Sequence, residues 1–240
     1  MGVTMISLRE REVELARQTL ADLIGARARE ILLLSGGTES IDLAIRGALD
    51  AQPASRALVT TRVEHAAVRD IAVAWEKGGT RPVRWAPLRE HGLVDLAVLE
   101  TLLDGAPGVG LVSIQWANNE TGVVQGVGEI AEICRRRGVL FHCDATQWVG
   151  KERVPAPVGD LMTFAPHKFH GPKGVGALFV YSKGDADFAR SRDFIERRFI
   201  AGIVYEPRSS TPRLYDPMRN FRRFQAQVAA KLPRGSTASQ

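Results

Sequence analysis

The chain has 240 residues, 45% of them hydrophobic and 25% charged, with 23 Gly and 12 Pro, a composition that excludes a wholly disordered chain, a collagen and a disulfide scaffold. The formal net charge of +5 is unevenly spread: residues 1–181 carry 20 Lys and Arg against 21 Asp and Glu, and residues 182–240 carry 12 against 6. The basicity belongs to the last quarter of the chain, as expected of a solvated tail rather than of a nucleic-acid surface built into a folded module. Two cysteines, Cys134 and Cys143, fit a reducing, cytoplasmic setting. The start MGVTMISLRE lacks both a secretion signal and a myristoylation motif, and no apolar run approaches the ~20 residues of a membrane span.

Ser7-Leu8-Arg9-Glu10 has the form of a capping box, and Val13, Ala16, Leu20, Leu23 and Ile24 recur at helical spacing until Gly25, so the spacing predicts a first helix from Ser7. Ile31 to Leu34 reads as a short strand that breaks at Ser35-Gly36-Gly37-Thr38. Ile41, Ala44, Ile45, Ala48 and Leu49 then share one helix face. The alternation continues with a strand over 57–61, a helix marked by Val68, Ile71, Ala72 and Trp75, a weak strand over 82–86, a short helix over 96–103 and a strand over 110–114. Val127, Ile130, Ala131 and Cys134 face one way on a helix closed by Arg135-Arg136-Arg137 and Gly138, where cations belong at a helix C-terminus. Strands over 139–143, 161–164 and 175–181 complete the series. Beyond Tyr181 the pattern decays into Arg, Ser and Pro, with a helix expected only over 221–232. The fold class expected is α/β, a mostly parallel sheet with helices on both faces, over residues 1–181, followed by a divergent basic tail of low order over 182–240.

In open α/β sheets ligands bind beyond the carboxyl ends of the strands. The polar groups just past the expected strands are Ser35 to Thr38, His65, Asn118 to Glu120, Asp144 with Gln147, and His167 with Lys168. Ser35-Gly36-Gly37-Thr38 is either an anion-binding turn at a helix N-terminus or a plain strand-to-helix turn, and it is not a Walker A loop. Gly126-Val127-Gly128 mimics a dinucleotide fingerprint but lacks an immediately preceding strand, so no Rossmann nucleotide site is expected. Asp144 is either a loop cap or a ligand-binding carboxylate, and His65 either a helix cap or a functional imidazole. His142 reads as a core histidine and His170 as loop structure. Lys168 is a candidate nucleophile by its company, with Lys173 as local rival. No metal site is expected.

The strings LLLSGGTESIDLAIRGAL, VEHAAV, SIQWANNETGVVQ, FHCDATQWVGK and DLMTFAPHKFHGPKGVGALFV resemble, in order and spacing, the cysteine desulfurase branch of the class V aminotransferase-like, fold-type I pyridoxal phosphate (PLP) enzymes. The likeness runs from about Val13 to Tyr181. It implies PLP as cofactor, with Lys168 as the Schiff-base lysine, Asp144 paired with the pyridine nitrogen, Gln147 on the ring hydroxyl, and His65 over the ring face assisting proton transfer. Gly37, Thr38 and His167 would hold the phosphate, and Asn119 would touch the substrate or ring edge. The implied reaction takes sulfur from L-cysteine, leaving alanine and an enzyme persulfide. The implied partners are a second copy of the chain and a sulfur-acceptor or iron–sulfur scaffold protein.

The resemblance also has gaps. The family's Ser-x-His-Lys stands here as Ala165-Pro166-His167-Lys168, losing a hydroxyl expected on the phosphate. The segment before the first helix is incomplete, and neither the small C-terminal domain with its persulfide cysteine nor the Gly- and Arg-rich segment after the last strand with its substrate-binding Arg has a counterpart in 183–240. Cys134 and Cys143 are expected to be buried and inert. The abrupt change after Tyr181 suits a gene fragment or a shifted reading frame. Two other readings stay open: a different PLP reaction on the same scaffold, such as aminotransfer or cysteine or selenocysteine lysis, and a non-catalytic remnant of the fold.

Overall fold

A computed structural model describes residues 2–105 and 108–181. In chain order the elements are α1 (Gly2–Leu23), β1 (Ile31–Leu34), α2 (Gly37–Asp50), β2 (Ala57–Thr60), α3 (Ala66–Gly78), β3 (Val83–Trp85), α4 (Leu96–Asp104), β4 (Val109–Gln115), α5 (Val127–Arg137), β5 (Leu140–Asp144), β6 (Leu161–Phe164) and β7 (Gly176–Val180). The basic tail and the helix expected over 221–232 lie outside the described residues.

The start of α1 departs from expectation. Ser7 sits inside the helix, so the Ser7–Glu10 pattern does not mark its beginning. Extending an existing helix costs far less than nucleating one, and no proline interrupts residues 2–6, so the helix runs past the motif. Its end is the expected one: Gly25 takes a left-handed φ of 68°, and the Ala26 N–H returns to the Ala21 carbonyl at 2.9 Å.

The seven strands form one sheet in the order β1-β7-β6-β5-β4-β2-β3. The ladder from β6 through β5, β4 and β2 to β3 is parallel, and β7 runs antiparallel to both of its neighbours. Successive side chains of a strand alternate between faces, which produces two cores. Val112, Ile114, Phe141, Cys143, Met162 and Phe164 pack with residues of α1, α4 and α5, whereas Leu58, Leu111, Leu161 and Leu178 pack with α2 and α3.

On the α2 face this leucine layer gives way, two residues further along each strand, to a buried polar row. Thr60 Oγ1 donates to the Ser113 carbonyl at 2.9 Å, Ser113 Oγ is hydrogen-bonded to His142 Nδ1 at 2.8 Å, and His142 Nε2 to Thr163 Oγ1 at 2.9 Å. All four residues are fully buried. The ring of His142 is satisfied at both nitrogens by hydroxyls, and it is a core histidine, as its place inside a strand implied. Burial pushes its pKa down from 6.5 to about 3.

An unfolded chain binds a proton at His142 below about pH 6.5 and the folded chain does not until about pH 3, so this residue's contribution to stability is lost on acidification. Denaturant titrations of the wild type and a His142→Gln variant should therefore diverge between those limits. The wild type should lose up to about 1.4 kcal/mol per pH unit relative to the variant; parallel curves would contradict a neutral buried imidazole.

Candidate active site

The parallel ladder aligns strand ends. Gln115 of β4 stands opposite Asp144 of β5, and Asp144 opposite Thr163 of β6, so the segments after these strands leave the sheet along one rim. There a cleft of about 230 Å³ opens, lined by Gly37, Thr38, His65, Asn119, Asp144, Gln147, His167 and Lys168. The eight residues to which the resemblance gives a role thus border one cavity, although they come from five separate stretches of chain, while Ser35, Gly36, Asn118 and Glu120 do not line it.

One side of the cleft is electropositive. Gly36 precedes α2 and no side chain caps the helix, so the N–H groups of the first turn, at Gly37 and Thr38, are available to a ligand and carry the positive end of the helix dipole. Gly176 on β7 supports this turn, since a side chain there would overlap the Gly36 carbonyl and Ser40 Oγ. Facing it, a short 3-10 turn over Pro166–Phe169 carries His167 and Lys168. Proline starts the turn, the Lys168 N–H bonds to the Ala165 carbonyl at 3.0 Å, and the Gly171 N–H closes on the Pro166 carbonyl at 2.8 Å. His170 ends it in a left-handed conformation, φ 69°, which fits its reading as loop structure. The His167 pKa is lowered by burial first and then by the charges of Lys168 and Lys173. Lys173 itself does not line the cleft.

The floor is acidic. Asp144 is 5% exposed, and its Oδ1 accepts the Thr146 N–H at 3.0 Å. Burial raises its pKa, and among the described residues no lysine or arginine forms an ion pair with it. A buried carboxylate without a cation gains most from a ligand that brings a positive charge. Gln147 Oε1 accepts from Lys151 Nζ. An ammonium can only donate, so the contact identifies that end of the amide as the oxygen and leaves the NH2 as the end free to donate to a ligand.

His65 is a helix cap that also borders the cleft. Its Nδ1 accepts the Ala67 N–H at 3.1 Å and caps α3, while the residue also lines the cleft. Because Nδ1 is the acceptor, the neutral ring carries its proton on Nε2. Asn118 is occupied structurally, with Nδ2 donating to the Val63 carbonyl and Oδ1 accepting from the N–H groups of Glu120 and Thr121. Asn119 is the amide that reaches the cavity.

Three further residues were not singled out from the sequence. Gln115 and Thr146 line the cleft, and Glu64 lies buried behind it at 2% exposure. Gln115 could have been found as the last in-facing position of β4, and Thr146 from its place between Asp144 and Gln147. Glu64 carried only the signal of preceding His65, and an acidic residue before a helix normally reads as solvent-exposed. Beside the rim, the rings of Trp116 and Trp148 stack 5.0 Å apart at 9° and brace the loop after β4 against the loop after β5.

The cysteines stand apart from this chemistry. Cys134 lies 1% exposed on α5, with its thiol pushed up to about 12 by burial first and then by Asp160. Cys143 is fully buried in β5, and its thiol is raised by burial, Asp144 and Glu64.

The model of the family described as aminotransferase class-V matches residues 4–191. The chain belongs to that family. It is 45% identical over 179 residues to the cysteine desulfurase IscS of Escherichia coli O139:H28, an alignment covering 72% of this chain and 43% of that protein. It thus spans less than half the length of the curated relatives it matches. Among solved structures it is similar to a "NIFS-LIKE PROTEIN", with a TM-score of 0.69 and 29% identity over 94% of this chain and 60% of that one. It is likewise similar to "SspA in complex with cysteine", with a TM-score of 0.65 and 30% identity over 73% of this chain and 50% of that one. No described helix is long and apolar enough to cross a membrane.

Two outcomes follow from the site. An alkylating reagent applied to the native protein at neutral pH should leave both cysteines unmodified and label two thiols only after denaturation; rapid native labelling read by mass spectrometry would contradict their burial. At position 65, His65→Ala should destabilise the fold by about 1 kcal/mol through loss of the helix cap, and His65→Asn should restore stability. If Nε2 also moves a proton, both variants lose turnover alike, whereas recovery of turnover with the Asn variant would reduce His65 to a cap.

Proposed function

We propose that the chain is the cofactor-binding part of a PLP-dependent cysteine desulfurase, taking sulfur from L-cysteine and leaving alanine. The observation that carries this reading is the meeting of Lys168 and Asp144 in one cleft, with the first turn of α2 and His167 beside them. The donor set fits the coenzyme. The open N-terminus of α2, Thr38 and His167 suit a phosphate, Asp144 suits a protonated ring nitrogen, the Gln147 amide suits the ring oxygen, and Lys168 Nζ is the amine that would anchor the aldehyde. Ala165 stands where a hydroxyl would have added a phosphate contact, and the Thr146 side chain, next to Gly37, lines the same end of the cleft.

When bound, PLP supplies the electron sink for bond cleavage at the substrate's carbon atoms. The remaining work falls to the chain. Asp144 keeps a positive charge on the ring side of the cleft, Lys168 Nζ and His65 Nε2 give and take protons at the open side, and Asn119 borders the substrate's entry. Sulfur leaves cysteine for a thiol, and no described thiol can receive it, because Cys134 and Cys143 are both buried. The sequence holds no cysteine besides these two, so in this reading the acceptor thiol is brought by another molecule. A second copy of the chain and a sulfur-acceptor protein of iron–sulfur assembly are the partners that accompany this activity in the proposal.

Incubation of the full chain with PLP should give a visible absorption band that is absent in Lys168→Ala. Addition of L-cysteine with dithiothreitol as thiol acceptor should yield alanine and sulfide, with Lys168→Ala slower by about 10²–10⁴-fold. Asp144→Ala should keep the colour and lose most of the turnover. Pyruvate or another keto acid in place of alanine would assign a different PLP reaction, and the absence of any band would make the chain a non-catalytic member of its family.

A further inference from the structure

The most conspicuous group that the proposed mechanism leaves unused is Glu64. It is the last residue before the cap of α3, and it is more deeply buried than Asp144, at 2% against 5% exposure. Its Oε2 accepts the Gln115 N–H at 2.8 Å, and its Oε1 lies 2.7 Å from Thr61 Oγ1. Around it the same segment is held twice more, by Gln115 Nε2 and Asn118 Nδ2, which both donate to the Val63 carbonyl at 2.6 and 2.9 Å. Residues 61–65 are therefore clipped to the end of β4, and His65 is the next residue out, bordering the cleft.

The titratable groups that interact with Glu64 are Asp144 and Cys143, both from β5, while His65 from the cap of α3 acts on Asp144. Among the described residues no lysine or arginine is bonded to either Glu64 or Asp144. Two buried carboxylates close together with no cation between them do not both stay ionised. The surroundings choose which one is neutral. Asp144 opens onto the cleft, receives the Thr146 N–H and feels the positive side of His65. Glu64 has a hydroxyl, Thr61 Oγ1, that can accept an acid proton as readily as donate one.

We propose that Glu64 is a positioning residue, which as a neutral carboxylic acid fastens the His65 segment to β4 and leaves Asp144 the sole anion on the floor of the cleft. This rests on the PLP reading of the site. In the acid form the carbonyl oxygen keeps the Gln115 N–H and the acid proton goes to Thr61 Oγ1, which turns from donor to acceptor, so both contacts of the carboxyl group survive without a second buried charge. The direction of its titration agrees: burial first, with Asp144 adding to it, raises the Glu64 pKa to about 8, against the pull of Thr61 and the Gln115 N–H.

The test uses Glu64→Gln, whose amide reproduces the donor and acceptor pattern of the neutral acid, with Glu64→Ala as comparison. At pH 6.5 the Gln variant of the full chain should bind PLP within twofold of the wild type, and the Ala variant at least tenfold more weakly. Melting of the cofactor-free chain supplies a readout that a purely structural contact would not move. Folded Glu64 holds its proton up to about pH 8 and unfolded Glu64 only up to about 4.5, so the wild type gains stability as pH falls through this window and the Gln variant lacks that gain. A Gln variant that binds PLP as poorly as the Ala variant, or a wild-type-minus-Gln melting difference that stays flat from pH 5 to 9, would overturn the proposal. If the wild type gives no PLP band while the melting difference persists, the function proposed above fails and the neutral acid stands.

Discussion

The constraint on which the site depends is the register of three neighbouring strands. Gln115, Asp144 and Thr163 lie in line across β4, β5 and β6, and this sets where each following loop leaves the sheet. A slip of one residue in β5 would turn Asp144 toward the α5 side and bring a cysteine or an alanine to the cleft floor, because side-chain direction alternates along a strand. What holds the register is the contrast between faces. Phe141 and Cys143 belong to one apolar core, while His142 is tied by hydrogen bonds to Ser113 and Thr163 on the other face. Displacing the row would leave several buried polar atoms unpaired, at a cost of roughly 1–3 kcal/mol each.

Electrostatically the cleft is divided. Carboxylates lie toward the sheet, at Asp144 and behind it Glu64, and donors and cations lie around the mouth, at the start of α2, His167 and Lys168. A ligand with a phosphate at one end and a basic ring nitrogen on its floor side meets complementary groups at both places. Burial of the acids and exposure of Lys168 follow from position: the acids sit on strand ends and the loop beneath the helices, and the lysine on a turn that projects beyond them. The two cysteines occupy the opposite extreme, deep in the packing on the α5 side, so the chain keeps its own described thiols away from the sulfur chemistry proposed for the cleft.

The supporting parts are also specific. The Trp116–Trp148 stack joins the loops after β4 and β5, and Gly176 lets β7 approach the turn before α2 closely enough to seat it. β7 is the strand that runs antiparallel to its neighbours. Placing it between β1 and β6 brings Gly36-Gly37, which follow β1, near Ala165, which follows β6. A wholly parallel sheet built in sequence order would not unite these two turns.

Local patterns were enough to read most elements from the sequence, because an amphipathic helix or an apolar run bounded by glycine is specified by residues close in the chain. The strands over 31–34 and 161–164, and the Gly25 and Gly138 stops, are of this kind. The start of α1 was not, since helix propagation overrode a capping pattern at Ser7. The polar residues after the strands could be picked out by the general rule for α/β sheets, and ordered motifs pointed to the family. Strand order, the antiparallel course of β7 and the burial of Glu64 were decided only in three dimensions. A carboxylate's state depends on how far it is removed from water and on which charges share its surroundings, and those neighbours, Gln115 and Asp144, lie 51 and 80 residues further along the chain.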